Sequence, residues 1–154
     1  MDGTIASQNN LPAYTKGVNA GIITFTSTDG FSGVTVFVCE GCNLSHLSGL
    51  SGLINLVAFY CNANKLTSLV NIGTNKMATN REDSNLYSTS MVDSRLAYYN
   101  TMFAVTPPIK NLTLNLSGAT MGIPTGAGSN TDLLGILAKF TAAGFTATII
   151  VRTV

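Results

Sequence analysis

The stretch Val34-Thr-Val-Phe-Val-Cys-Glu-Gly-Cys-Asn-Leu-Ser-His-Leu47 decides the fold. Its pattern returns 22 positions later as Leu56-Val-Ala-Phe-Tyr-Cys-Asn-Ala-Asn-Lys-Leu-Thr-Ser-Leu69. Both stretches are apolar at their first, fourth, sixth, eleventh and fourteenth positions, and both carry cysteine or asparagine at the ninth. A unit of this length cannot bury its own apolar side, so neighbouring units have to stack on one another. The sequence therefore predicts parallel strands stacked around a continuous core.

This spacing resembles that of leucine-rich-repeat proteins, and the segment from Asn64 to Leu69 matches the return limb of that family. A third unit is predicted at Ile109, Leu112, Leu114, Ser117 and Ala119. The resemblance covers residues 34–77 and 109–126. The run from Leu112 to Gly126, followed by Asn-Thr-Asp-Leu-Leu, is similar to short repeat proteins of bacterial and phage genomes. The resemblance implies that the strand face contacts partners and that the chain is not an enzyme.

The segments around the repeats are predicted from local signals. Residues 1–20 are expected to form an irregular arm or capping segment, and the Asp29-Gly30 turn predicts a hairpin across 21–38. Residues 78–88 do not match the repeat pattern, so we expect the stack to be interrupted there. A helix is predicted over 90–103, with Ser90 and Asp93 as a capping box. Its predicted buried side consists of Val92, Leu96, Tyr99 and Phe103, which recur at helical spacing.

The C-terminal part is predicted to close the stack with a helix and a strand. A loop over 121–126 precedes a helix that begins at Asn130 or Thr131 and stops at Gly144. The predicted buried side of this helix consists of Leu133, Leu134, Ile136, Leu137 and Phe140. The last segment then alternates, with Phe145, Ala147, Ile149 and Val151 on one face. This alternation after a crossover helix predicts one more parallel strand.

We therefore predict an α/β fold: a short leucine-rich-repeat-like solenoid with parallel strands, an N-terminal β cap and a C-terminal helix–strand cap. Residues 1–154 are expected to form a single domain. Its predicted parts are the arm and β cap (1–33), two repeats (34–77), an insertion with a helix (78–108), and the third repeat with the C-terminal cap (109–154).

The surface is predicted to be neutral and rich in hydrogen-bonding groups. Only 10% of the residues are Asp, Glu, Lys or Arg, compared with roughly 25% in a typical soluble domain. The net charge is +1 and no basic run is present, so a nucleic-acid partner is not expected. A neutral surface tolerates close packing against other copies. The alternative is a soluble secreted monomer with a polar coat.

The sequence contains neither a signal-peptide pattern nor a window that approaches the roughly 20 apolar residues of a membrane span. We therefore expect a complete chain made in a cytoplasm and no direct membrane span. If the protein acts outside a cell, assembly into a virus particle would carry it there.

The sequence offers little catalytic or metal-binding chemistry. His46 is the only histidine, and it falls in a repeat turn. Glu82 and Asp83 are expected to diverge on a solvated loop. Cys39 and Cys61 occupy equivalent positions, so they form either a disulfide or a pair of buried reduced thiols. We expect no catalytic residue, no metal ligand and no cofactor.

The outward side chains of the predicted strands form the candidate binding face. Its columns are Val38, Tyr60 and Thr113; Glu40, Asn62 and Asn115; and Val36, Ala58 and Asn111. A rigid aromatic residue beside amides suits polar or glycan partners. The predicted binding residues are Glu40, Tyr60, Asn62, Asn111, Thr113 and Asn115. The alternative is a passive, solvated sheet face.

The first functional hypothesis is a non-enzymatic structural or attachment protein of an assembled particle, most consistent with a bacteriophage virion component of the capsid, spike or tail. Its expected partners are other virion or surface proteins in an oligomeric assembly, and a host receptor or glycan. The second hypothesis is a bacterial leucine-rich-repeat binding or adhesion module at the cell surface or in the cytoplasm. Enzymes form the remaining class.

Overall fold

A computed structural model of the chain describes residues 4–5, 24–25, 31–72, 76–103 and 107–153. The strands are β1 (Thr4–Ile5), β2 (Thr24–Phe25), β3 (Val36–Val38), β4 (Ala58–Tyr60), β5 (Thr79–Arg81), β6 (Asn111–Leu116) and β7 (Thr146–Val151). The helices are α1 (Thr89–Met102) and α2 (Thr131–Ala142). Strands β3 to β7 form a five-stranded sheet in sequence order, and every pairing in it is parallel. The fold of the described residues is therefore α/β.

The first two predicted units stack as their sequences indicate. Phe37 of β3 lies opposite Phe59 of β4, and their ring centroids are 5.9 Å apart. Cys39 and Cys61 follow at the next inward positions, where the Cys39 amide donates to the Tyr60 carbonyl at 2.8 Å. Both cysteines are free thiols. The prediction that equivalent side chains lie over one another is confirmed for this pair of strands.

Two asparagines connect neighbouring strands: Asn64 connects the ends of β4 and β3, and Asn85 connects the ends of β5 and β4. The Asn64 amide group donates to the carbonyls of Cys39 and Cys61, both at 2.9 Å, and its Oδ1 accepts from the Leu44 amide at 2.9 Å. Asn85 repeats this arrangement one strand later: it donates to the Cys61 carbonyl at 3.0 Å. These bonds satisfy backbone groups just beyond the carboxyl ends of the strands.

The prediction that the stack is interrupted at 78–88 is wrong. Strand β5 lies between β4 and β6, and Asn80 is opposite both Phe59 and Leu114. The pattern fails at this strand because its inward residues, Asn80 and Glu82, are polar, although both are fully buried. Residues 79–81 are thus a central strand of the sheet rather than part of an insertion.

The strand of the third predicted unit is present as β6, but its register is displaced by two residues. Leu112 was expected at the position equivalent to Phe59. Instead, Phe59 lies opposite Asn80 of β5, and Asn80 lies opposite Leu114 of β6, so Leu114 occupies that position. Side chains alternate between the two faces with a period of two, so a shift of two residues keeps Leu112 and Leu114 on the inward side. Both are buried.

Both helices form where they were predicted and bury most of the expected residues. Ser88 caps α1, its Oγ accepting from the Met91 amide at 3.4 Å; the predicted cap, Ser90, already lies inside the helix. Asn130 caps α2. Rings of the two helical segments meet at Phe103 and Phe140, with centroids 5.2 Å apart. The predicted inward residue Leu134 is instead 47% exposed, because it lies at the margin of the apolar stripe.

The chain ends are arranged as follows. Strand β7 pairs in parallel with β6, as predicted for the terminal strand. The predicted hairpin across 21–38 is wrong for the described strands: β2 pairs in parallel with β1, and Thr4 lies opposite Thr24. A turn signal is local, whereas the partner of a strand can lie far along the chain. The rest of the predicted arm and β cap, up to residue 30, lies outside the described residues.

Candidate functional site

The sheet has an inner face, packed on the helices and return limbs, and an outer face. We define the outer face by two rows of side chains that lie in register across the strands. These rows are Val36, Ala58, Thr79, Thr113, Thr148 and Val38, Tyr60, Arg81, Asn115, Ile150. Val36, Val38 and Ile150 are 53%, 62% and 44% exposed. All-parallel sheets are normally covered on both faces, so an open outer face is unusual.

The predicted binding residues are all in the described part of the chain but do not form one cluster. Glu40, Asn111 and Thr113 are exposed, whereas Tyr60 and Asn115 are half-buried. Strand β5, which the sequence did not reveal, separates β4 from β6. Neighbouring parallel strands lie about 4.8 Å apart, so the predicted binding residues on β4 are roughly 10 Å from those on β6.

The predicted neighbours of Tyr60 are corrected by this register. Thr113 was expected beside Tyr60, but Arg81 is its neighbour and Asn115 lies one strand further on. The cause is the missed β5 together with the two-residue displacement of β6. Tyr60 therefore lies between an exposed valine, Val38, and a cation rather than between amides.

Of the two amides predicted to donate to a partner, Asn62 is buried, whereas Asn115 is half-buried and only its oxygen is engaged. Asn115 Oδ1 accepts from the Ser117 amide at 3.1 Å and from its hydroxyl at 2.7 Å. Asn62 is 3% exposed, and its Oδ1 has no hydrogen-bond partner among the described residues. Charge is brought to the outer face by Arg81, which pairs with Asp83.

Arg81 and Asp83 form an ion pair that the sequence did not predict. Arg81 Nε is 3.3 Å from Asp83 Oδ1, and the two side chains are 39% and 15% exposed. One signal could have located them. Asn85 and Tyr87 follow Asn64 and Leu66 at a spacing of 21 residues, close to the predicted repeat length, so this spacing could have suggested a further strand before them.

A buried polar cluster lies behind β5, on the inner side. We call it the Glu82 cluster; its members are Asn80, Glu82, Tyr87, Arg95 and Tyr99. Glu82 Oε1 is 2.8 Å from Arg95 Nε, and Oε2 accepts from Arg95 Nη2 at 3.0 Å. Tyr87 donates to Oε2 at 2.8 Å, and Asn80 donates to Oε1 at 2.6 Å. The carboxylate thus accepts three hydrogen bonds from three side chains, and Arg95 Nε adds an ionic contact.

The electrostatics of the Glu82 cluster follow from burial and pairing. Burial lowers the pKa of the Arg95 guanidinium, but the adjacent Glu82 carboxylate outweighs it, so the pKa of Arg95 is raised overall. Burial and the same carboxylate raise the pKa of the Tyr87 hydroxyl, and burial raises the pKa of Tyr99. Arg95 therefore remains charged and both tyrosines remain neutral, which keeps the hydrogen bonds of the cluster intact.

The Glu82 cluster connects α1 to the sheet at the end of β5. The side chain of Glu82 is 0% exposed, and Arg95 also donates to the Val70 carbonyl at 2.8 Å. This bond links α1 to the later part of the second predicted repeat. The prediction that Glu82 lies on a solvated loop is wrong, because its carboxylate replaces an apolar side chain in the core.

A shallow depression of about 380 Å³ lies at the carboxyl ends of the strands. Its lining residues are Gly41, Asn43, Ala63, Asn64, Lys65, Ser84, Ala119 and Thr120. Lys65 is the single charged side chain in this set, and no member of the Glu82 cluster belongs to it. Within the described ranges, no group of three or more His, Cys, Asp or Glu side chains is placed to hold a metal ion. None of the described helices is long and apolar enough to cross a membrane.

The three cysteines are expected to react at very different rates. Burial, followed by the neighbouring Cys42, raises the pKa of Cys39 to about 12, and burial followed by Glu82 also raises the pKa of Cys61. At pH 8 we expect Cys42, which is exposed, to react with a disulfide reagent roughly a thousandfold faster than the other two. The measurement is a time course of thiol release, and Cys42→Ser should remove the fast phase.

The same thiols are expected to make stability fall at high pH. A folded-state pKa above the unfolded value favours the native state fully below the unfolded pKa of about 8.5. This contribution to the free energy of unfolding is lost as the pH rises from there toward 12.

If all three thiols of the native protein reacted in the fast phase of the time course with the disulfide reagent, the packing of Cys39 and Cys61 would be contradicted.

The chain was also compared with known proteins. No family model matches it, and neither a curated protein nor a solved structure gives a match. The function proposed for this chain consequently rests on its own residues and their geometry.

Proposed function

We propose that this chain is a non-enzymatic binding protein that acts through the outer face of its sheet, as a component of an assembled particle. The observation that carries this proposal is the exposure of one face of an all-parallel sheet. Val36 and Val38, at the two ends of β3, are both more than half exposed. A parallel sheet normally has both faces covered, so a second protein chain would complete the structure.

The chemistry of the outer face fits a protein partner. One side is apolar, with Val36, Val38 and the half-buried ring of Tyr60. Next to it lies the partly exposed pair of Arg81 and Asp83. Apolar and aromatic groups bordered by an arginine and polar side chains are the usual composition of protein–protein interfaces. Of the two amides expected to serve a glycan, Asn62 is buried and Asn115 already accepts two hydrogen bonds at its Oδ1, which supports a protein partner more than a sugar.

The repeat interpretation supports the same surface. Successive strands at regular spacing, and the equivalent bonds of Asn64 and Asn85, favour a short leucine-rich-repeat-like solenoid. Proteins of that class present their strand face to partners. Under this proposal the outer face corresponds to that strand face.

The particle we propose is a bacteriophage virion, in which this chain would contact other virion proteins and could contribute to host attachment. The near-neutral net charge of +1 and the low charged fraction support dense packing among chains. The second candidate is a bacterial binding or adhesion module at the cell surface or in the cytoplasm. It is favoured by the same outer face, without requiring a particle.

Detection of the chain in purified particles by mass spectrometry, combined with its mass in solution, would separate the two candidates. A component of a particle should be present there at a fixed ratio to other structural proteins. A chain that is absent from every particle and remains monodisperse and monomeric would overturn the virion proposal. The adhesion module would then be preferred.

A charge placed on the outer face is expected to abolish partner binding without unfolding the protein. Val38 is 62% exposed, so Val38→Asp should change the free energy of unfolding by no more than about 0.5 kcal/mol. An unpaired carboxylate buried against a partner should weaken binding at least tenfold. Tyr60→Ala should weaken binding as well, with little change in melting temperature.

The matched control is Leu134→Asp, which makes the same kind of change on α2, at a leucine 47% exposed. The measurement is co-purification with the particle, or titration with an isolated partner. Equal effects of Val38→Asp and Leu134→Asp would argue against the outer face. A large loss of stability in Tyr60→Ala would show that its ring belongs to the core.

A further inference from the structure

The outer edge of β7 offers a second interaction surface. Within the described residues β7 pairs with β6 alone and forms the border of the five-stranded sheet. The Thr146 amide donates to the Lys110 carbonyl at 3.0 Å, so Thr146 directs its backbone groups toward β6. Backbone groups alternate in direction along a strand. The N–H and C=O groups of Ala147, Ile149 and Val151 therefore face the open edge.

This edge lacks the features that normally prevent strand pairing. Exposed edge strands usually carry a charge, a proline or a bulge. Strand β7 reads Thr-Ala-Thr-Ile-Ile-Val, with none of these, and it pairs with β6 without a bulge over six residues. It is one of the two longest strands described and is rich in β-branched residues, which suits pairing with a further strand.

The inner side of β7 is also incompletely covered. Ala147, Ile149 and Val151 point to the core side but remain half-buried. Their partners one strand inward are 2% exposed or less; these are Leu112, Leu114 and Leu116. A strand added beyond β7 would therefore satisfy backbone groups and cover apolar side chains at the same time.

We propose that β7 pairs in antiparallel orientation with β7 of a second copy of this chain, across a twofold axis at Ile149. In this register Ile149 faces its own counterpart, and Ala147 faces Val151 of the second copy. Each of these facing residues directs its N–H and C=O outward, so they form the hydrogen-bonded pairs of an antiparallel ladder. The two five-stranded sheets would become one continuous sheet.

A second copy is favoured over an unrelated strand because the edge is self-complementary. The residues whose backbone groups face the open edge, Ala147, Ile149 and Val151, are placed symmetrically about Ile149. In addition, β7 contains no charge that would repel an identical strand. The nearest charged residue in sequence, Arg152, donates to the Ala119 and Met121 carbonyls, both at 2.9 Å. Twofold dimers are also the commonest assembly of identical chains. This inference does not depend on the partner proposed for the outer face.

The register predicts which exposed side chains meet. Thr148 of one copy lies opposite Ile150 of the other, so each dimer contains this pair twice. Both residues are exposed on the outer face, so replacing them should not disturb the core. Like charges directly opposite each other in a sheet destabilise pairing, whereas opposite charges stabilise it. A charge exchange at these two positions therefore tests the register itself.

The experiment uses the full chain and measures its mass by light scattering and sedimentation. The native sequence should form a dimer. The T148K/I150K variant places lysine against lysine twice and should dissociate at least tenfold more readily. The T148K/I150E variant places lysine against glutamate twice and should remain dimeric. Val38→Asp, which lies on the opposite border of the sheet, should leave the dimer intact.

Hydrogen exchange provides an independent readout. The Ile149 amide should be protected in the native dimer and in T148K/I150E, and should exchange faster in T148K/I150K. A native chain that is monomeric at high concentration would overturn the proposal. A dimer insensitive to T148K/I150K would do the same, as would equal dissociation of both double variants. Loss of partner binding in Val38→Asp with an intact dimer would support the outer-face proposal separately.

Discussion

Replacing Arg95 with alanine is expected to lower the free energy of unfolding by about 3–5 kcal/mol. The substitution would leave the Glu82 carboxylate, which is 0% exposed, without its cation. It would also remove the donor to the Val70 carbonyl. An unpaired charge or polar group in the core is far more costly than the loss of an exposed contact. Urea unfolding followed by circular dichroism would measure the difference.

Two further variants make this prediction specific. Arg81→Ala removes the cation of the exposed pair with Asp83 and should cost no more than about 1 kcal/mol. Glu82→Gln combined with Arg95→Met removes both charges while keeping an acceptor for Tyr87. This double variant should be more stable than Arg95→Ala. If Arg95→Ala cost as little as Arg81→Ala, the buried ion pair would not be formed in solution.

Replacing Gly122 with alanine is expected to destabilise the fold by about 3 kcal/mol or more. A Cβ atom at Gly122 would lie 2.2 Å from the Thr89 amide nitrogen and 2.4 Å from the Ser88 carbonyl carbon. These are backbone atoms at the start of α1, so they cannot rotate away as a side chain could. The Gly122 amide also donates to the Tyr87 carbonyl at 2.6 Å, which fixes the close approach.

The control for this substitution is Gly128→Ala, where a Cβ atom would meet nothing within 4 Å. Its effect should stay within about 0.5 kcal/mol. The comparison of the two melting curves separates the steric clash from the general effect of adding a methyl group. A Gly122→Ala protein with the stability of Gly128→Ala would show that the loop and α1 are further apart than the structure has them.

The stacking of β3 on β4 could be predicted from the sequence because both strands carry phenylalanine and cysteine at the same spacing. Phe37 and Phe59 show that an apolar repeat specifies both the strand and its register. The two helices were predictable for a related reason, since Val92, Leu96 and Tyr99 recur at helical spacing and are all buried. In each case the spacing of apolar residues within one segment is sufficient to predict the element and its buried side.

The candidate site was less predictable because it depends on which strands are neighbours. Tyr60 and Asn115 each face outward as expected, but Arg81 lies between them. A missed strand leaves the inward or outward direction of a side chain unchanged, since that depends on alternation along its own strand. It does change every neighbour across the sheet.

The sequence by itself determined the α/β class, the positions of both helices, the first two stacked strands and the terminal strand, because apolar periodicity specifies what each segment buries. Only the tertiary structure placed β5 at the centre of the sheet. Asn80 and Glu82 can occupy a core position there because Arg95, which is distant in sequence, neutralises the carboxylate and leaves its charge paired. A pattern search over single residues cannot detect such compensation, since it exists only between side chains that the fold brings together.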